Sequence, residues 1–168
     1  TFAIFAGVKG PEGEGDEAPA ALAKAQEAVI PMLKEAGLKQ VFRAREAVEA
    51  LSKKYKLYIT SNGTSKIQAG RLESAAIGHF FQDIFISQDI GINKPDKGYF
   101  DRCFARIPGF DPQKAMIVGD SLSSDIKGGI NAGIKTVWVN PDHKDSGDVK
   151  PDYEIEYLYQ LESLLEGM

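Results

Sequence analysis

Val118-Gly119-Asp120-Ser121-Leu122-Ser123-Ser124-Asp125 joins an apolar run to a glycine turn that carries two carboxylates, Asp120 and Asp125. Such a turn closes a parallel strand at its carboxyl end. Open α/β sheets bind ligands in the crevice at that edge, so both carboxylates can face one site. Oxygen ligands of this type suit Mg²⁺, which takes one or two carboxylates with waters and a substrate phosphate. The structural alternative is helix capping by Ser123, Ser124 or Asp125. Ser61-Asn62-Gly63 repeats the layout directly after Leu57-Tyr58-Ile59-Thr60. Its hydroxyl, amide and backbone N–H groups could cradle a phosphate oxygen, or simply form a turn. Lys94-Pro95 lies just beyond Ser87-Gln88-Asp89-Ile90-Gly91. The ammonium of Lys94 could neutralise a phosphoryl group and a carboxylate together, or could be ordinary solvated surface.

These residues need elements to position them. Short apolar runs alternate with helical spacing, the pattern of strands and helices around a parallel sheet. Strands are expected at Leu57–Thr60, Ile84–Ile86, Ala115–Val118 and Thr136–Val139, with a further one at Thr1–Phe5. Their nearly unbroken hydrophobicity suits burial on both faces. Helices are expected over Arg45–Lys54, Lys66–Phe80, Lys97–Ile107 and Ser124–Ala132, and a closing one over Leu158–Leu165, whose leucines share a stripe. The first part of the chain differs: residues 10–15 read as a flexible acidic loop, and an alanine-rich helix capped by Asp16 runs on to Ala36, kinked or split in two at Pro31.

Composition bounds the function. The chain has 168 residues, 43% hydrophobic and 26% charged, which suits one globular domain able to bury about 70% of its unfolded surface. Twenty basic against 24 acidic side chains give a net charge of −4, which argues against nucleic acid or an anionic membrane as partner. Cys103 is the sole cysteine, so no internal disulfide forms, and a reducing, cytoplasmic setting is expected. No apolar run approaches the roughly 20 residues of a membrane span. Nothing calls for an obligate protein partner. Gly7, Gly10, Gly13 and Gly15 lack dinucleotide-fingerprint spacing, and the acidic residues among them would repel phosphate. His79 and His143 have no companions at metal-ligand spacing, and Trp138 and Phe85 belong to the expected core.

Taken in order, Leu57 to Gly63, Ser87 through Pro95 and Gly119 through Gly129 resemble the haloacid dehalogenase superfamily of phosphohydrolases, most of all its pyrimidine nucleotidase-like branch. Asn131-Ala132-Gly133-Ile134 and Trp138-Val139-Asn140-Pro141 extend the likeness, which covers residues 45–168. The resemblance implies that Ser61 binds the transferring phosphoryl group and that Lys94 holds nucleophile and phosphate charges together. It further implies that Asp120 ligates Mg²⁺, that Asp125 supports the metal or its waters, and that Asn62 joins the phosphate cradle.

The sequence departs from that family at its first motif. Family members attack phosphorus with an aspartate at the end of the first strand, and a second aspartate two residues later acts as acid and base. Thr1-Phe2-Ala3-Ile4-Phe5 resembles that strand but continues Ala6-Gly7-Val8, and no two aspartates anywhere in the chain stand two positions apart. On this register Ala6 replaces the nucleophile and Val8 the acid/base. A methyl group forms no aspartyl-phosphate. The connection that in this branch carries a helical cap domain is also short, so the cap is expected to be absent or minimal.

The expectation is one α/β domain over residues 1–168: a three-layer sandwich around a mostly parallel, Rossmann-like sheet of five or six strands. Residues 1–44 form an atypical strand-loop-helix segment, and residues 45–168 the core. Ser61, Lys94 and Asp120 should meet at one sheet edge. The implied function is a phosphatase or nucleotidase scaffold without its nucleophile, impaired in turnover, with Mg²⁺ weakly held or lost and a small phosphorylated metabolite or inorganic phosphate as ligand. Two alternatives stand beside it: an engineered or chimeric protein built on a fragment of such an enzyme, and an active hydrolase using Ser61 or Asp120 as nucleophile.

Overall fold

The computed structural model describes residues 3–7, 43–65 and 76–168. The acidic loop, the alanine-rich stretch, the kink at Pro31, the expected loss of the cap and most of the helix expected from Lys66 lie outside the described residues. Six strands form one sheet: β1 (Ala3–Gly7), β2 (Lys56–Ser61), β3 (Phe81–Ile86), β4 (Ala115–Gly119), β5 (Lys135–Val139) and β6 (Tyr153–Ile155), in the order β3-β2-β1-β4-β5-β6. Every pairing is parallel. β1 is therefore central, and the chain reverses its direction of travel across the sheet on either side of it. In doubly wound sheets that reversal opens the ligand crevice at the carboxyl edge.

Helix α1 (residues 43–54) leads into β2, α2 (Ser87–Ile90) and α3 (Lys97–Phe104) follow β3, α4 (Lys127–Ala132) follows β4, and α5 (Leu161–Glu166) closes the chain. All five residues of β4 are buried, and they alternate between two cores. Ala115 and Ile117 face Tyr99, Phe100 and Cys103 of α3, while Met116 and Val118 face Val48 and Leu51 of α1 and Leu161 of α5. Strand side chains point alternately to opposite faces, so two covered faces produce the continuous apolar run read from the sequence. The result is three layers. Lys54 ties α1 to α5 through Glu162 and Glu166 at 3.2 and 3.1 Å.

Several described elements differ from expectation: β1 runs Ala3–Gly7 rather than Thr1–Phe5, and α2 was not expected. The helix expected over Ser124–Ala132 is split: Leu122–Ile126 is a wide turn, and regular helix begins at Lys127. The carbonyl of Ser121 accepts from both Asp125 N (2.8 Å) and Ile126 N (3.1 Å), the second being an i→i+5 bond of the kind that interrupts helices at functional sites. β6 escaped the sequence because it has only three residues and lies just after Pro151 and Asp152. The closing helix starts as a single tighter turn at Leu158–Gln160 before α5.

Candidate active site at the carboxyl edge of the sheet

Ser61 is the last residue of β2, and Asp120 directly follows Gly119, the last residue of β4. Because both strands run parallel to β1 between them, Ser61 and Asp120 flank the end of that central strand. In register, Ala6 lies level with Ile59 on one side and Val118 on the other, and Gly7 lies level with Thr60.

Lys94 reaches the same edge from the loop before α3. It is 4% exposed. Its ammonium donates to the Thr60 carbonyl (2.9 Å), the Thr60 hydroxyl (3.2 Å) and Asp125 Oδ1 (2.7 Å). The Lys94–Asp125 pair is almost wholly out of water, with side chains 2% and 3% exposed. A buried charge is tolerated only when paired and hydrogen-bonded, and each member here meets that condition. The other carboxylate oxygen of Asp125 accepts from Ser121 N at 3.2 Å.

The wide turn after β4 is what brings Asp125 inward. It folds Asp125 so tightly over Gly119 that a Cβ at position 119 would lie 2.5 Å from the Asp125 Cβ and from its Oδ2. The glycine of Gly119-Asp120 is thus required by the close approach of Asp125. Asn62 is half of a second clamp: its Nδ2 donates to the Lys94 carbonyl and its Oδ1 accepts from Lys94 N, both at 2.8 Å. The two contacts fix the loop that carries Lys94 into its cis Lys94–Pro95 peptide. Beside them, the Tyr99 hydroxyl donates to the carbonyl of Phe85, the β3 partner of Thr60, at 2.7 Å. Burial raises the Tyr99 phenol far above its ordinary range, so it stays a neutral donor.

Each residue singled out in the sequence is thus located. Lys94 and Asp125 are in direct contact, and Asn62 binds the backbone of Lys94. Ser61 is fully buried at the end of β2, while Asp120 is exposed, with its carbonyl accepting from Trp138 Nε1 at 3.1 Å. Thr60 was missed. Its signal was a hydroxyl closing an apolar strand, which the reading absorbed into the strand.

Among the described residues no three His, Cys, Asp or Glu side chains gather to hold an ion. Of the two candidate ligands, Asp125 accepts from Lys94 Nζ through one oxygen and from Ser121 N through the other, and Asp120 lies exposed at the same edge. His79 and His143 are exposed, and Trp138 and Phe85 are core residues. The described residues include no helix long and apolar enough to cross a membrane.

Residues 13–139 match the haloacid dehalogenase-like hydrolase family. The chain belongs to that family. YfnB of Bacillus subtilis is 42% identical over 132 residues, covering 78% of this chain and 56% of that protein. Pyrimidine 5'-nucleotidase PynA of Streptococcus pneumoniae is 40% identical over 111 residues, covering 66% of this chain and 46% of that protein. A magnesium-bound crystal structure of YfnB superposes with a TM-score of 0.70 at 44% identity, over 71% of this chain and 53% of that one. These haloacid dehalogenase-like relatives place the chain with the nucleotidase-like branch. The chain spans about half the length of the curated relatives it matches.

Proposed function

We propose that this chain is a phosphatase-type scaffold that holds phosphate at the carboxyl edge of its sheet and turns phosphate esters over poorly. The observation that carries the reading is the register of β1. The strand lying between the Ser61 and Asp120 ends supplies Ala6, level with Ile59 and Val118, where the family resemblance calls for an aspartate nucleophile. Val8, two positions on, offers no carboxyl for proton transfer. The covalent step splits a hard displacement into two easier ones, and general acid/base catalysis adds about 10² to 10⁴ in rate. Without either, charge and positioning remain. Lys94 supplies the charge, Ser61 a hydroxyl, and the fold a rigid edge on which both are held. The pyrimidine 5'-nucleotidase relative supports a small phosphate monoester as the ligand class.

Mg²⁺ belongs to the weaker half of this reading. With Asp125 paired to Lys94 and no carboxylate at position 6, Asp120 would leave mostly water around the ion, so Mg²⁺ should bind weakly. Calorimetric titration tests both halves. Inorganic phosphate should bind the unaltered chain, and Ser61→Ala should weaken that binding about tenfold, the loss expected for one hydrogen bond to a charged group. Phosphate that fails to bind, or micromolar Mg²⁺ affinity, would contradict the proposal.

A further inference from the structure

Lys94 is held by two residues that answer its charge differently, and one of them, Thr60, has no role assigned to it by the sequence. An ammonium has three protons and no acceptor. Here three acceptors lie within reach, two of them on Thr60: its carbonyl at 2.9 Å and its hydroxyl at 3.2 Å, with Asp125 Oδ1 at 2.7 Å completing the set. Thr60 is fully buried and Lys94 nearly so. A four-carbon side chain has rotamer freedom to lose, and a single counter-charge leaves the ammonium free to pivot about that contact. The carbonyl and hydroxyl of Thr60 approach from β2, whereas Asp125 approaches from the turn after β4. Together they fix Nζ between two strands. Threonine suits the task because its branched Cβ restricts χ1, so the hydroxyl keeps a set position relative to its own strand.

We propose that Thr60 is a positioning residue of the phosphate site, its carbonyl and hydroxyl fixing the place of the Lys94 ammonium at the carboxyl edge of the sheet. The inference rests on the reading that bound phosphate sits in the field of Lys94. It assigns to Thr60 a part in ligand affinity beyond satisfying a buried donor.

The test compares Thr60→Val, which keeps the shape and the carbonyl but removes the hydroxyl, with Thr60→Ser, which keeps the hydroxyl and loses the methyl. Two readouts are taken on the full chain: affinity for inorganic phosphate, and the nitrogen-15-edited NMR signal of the Lys94 ammonium at low temperature. Thr60→Val should weaken phosphate binding about tenfold and shift or abolish the Lys94 signal, as expected for loss of a hydrogen bond to a charged group. Thr60→Ser should keep the signal and bind phosphate within about threefold of the unaltered chain. Should Thr60→Val not fold, Thr60→Ala removes the same oxygen and is read in the same way. Unchanged phosphate affinity in the hydroxyl-free variant overturns the proposal, and so does a loss in Thr60→Ser equal to that in Thr60→Val, which would assign the effect to packing. An unaltered chain with an intact Lys94 signal and no phosphate binding overturns the phosphate-site reading, and this proposal with it.

Discussion

Lys94 and Asp125 are separated by 31 positions in the chain and by 2.7 Å in space, with neither side chain more than 3% exposed. Pairs of this kind are weak evidence of stability as such, but removing one partner strands the other charge in a dry environment, at about 3–5 kcal/mol. Lys94→Met should therefore lower the unfolding free energy by that much in urea denaturation; a loss under about 1 kcal/mol would show that Asp125 finds water or another donor. Gly119→Ala attacks the same pair from the backbone. The added methyl would meet the Cβ as well as the carboxylate of Asp125, so no rotamer change relieves it, and overpacking of this kind costs about 1–3 kcal/mol. Calorimetric melting of the variant checks this. At this scale the sequence was legible in part. Ser61, Lys94 and the carboxylates stood out because three polar turns follow apolar strands in one order along the chain, although each turn alone has an ordinary structural reading. The resemblance implies roles for Asn62 and Asp125 toward ligand and metal, and the structure shows both in contact with Lys94. Contacts across about thirty residues of sequence leave no local trace.

Elements were more legible than contacts, because periodicity is a local property and burial on two faces removes alternation from strands such as β2 and β4. The failures were short. Just before β6, Asp152 ties it to β5, accepting from Thr136 N (2.9 Å), the Thr136 hydroxyl (2.8 Å) and Lys135 (3.2 Å). Burial alone would raise the Asp152 carboxyl, but these donors outweigh it and hold the group below the usual carboxylate range. A lowered carboxyl contributes stability above its unfolded value near 4, and that contribution is lost as pH falls through the folded value. Asp152→Asn should therefore melt at a lower temperature than the unaltered chain at pH 7, and the gap should close toward pH 2. A gap that stays constant with pH would place the effect in hydrogen bonding alone. The wide turn at Leu122–Ile126 was unreadable for another reason: a single i→i+5 bond shifts helical phase without changing which residues are apolar.

At the scale of the molecule, the sheet order places β1 between the two strands that end in Ser61 and Gly119-Asp120. The six-stranded parallel sheet, its two cores and the shared edge follow from alternating strands and helices, which is why the fold class could be read before the structure. The account's central claim concerns the same strand: Ala6 in β1, and Val8 two positions on in the sequence, are proposed to stand where the family resemblance calls for carboxylates. The most direct measurement is hydrolysis of a simple phosphate monoester by the unaltered chain beside an Ala6→Asp plus Val8→Asp variant, with identity confirmed by mass spectrometry. The account predicts turnover barely above background for the unaltered chain. It predicts a gain of at least about 10²-fold in the double variant, lost again when Asp120→Asn is added. Ordinary enzymatic turnover by the unaltered chain would contradict it and point to another nucleophile, with Ser61 and Asp120 the first to be replaced.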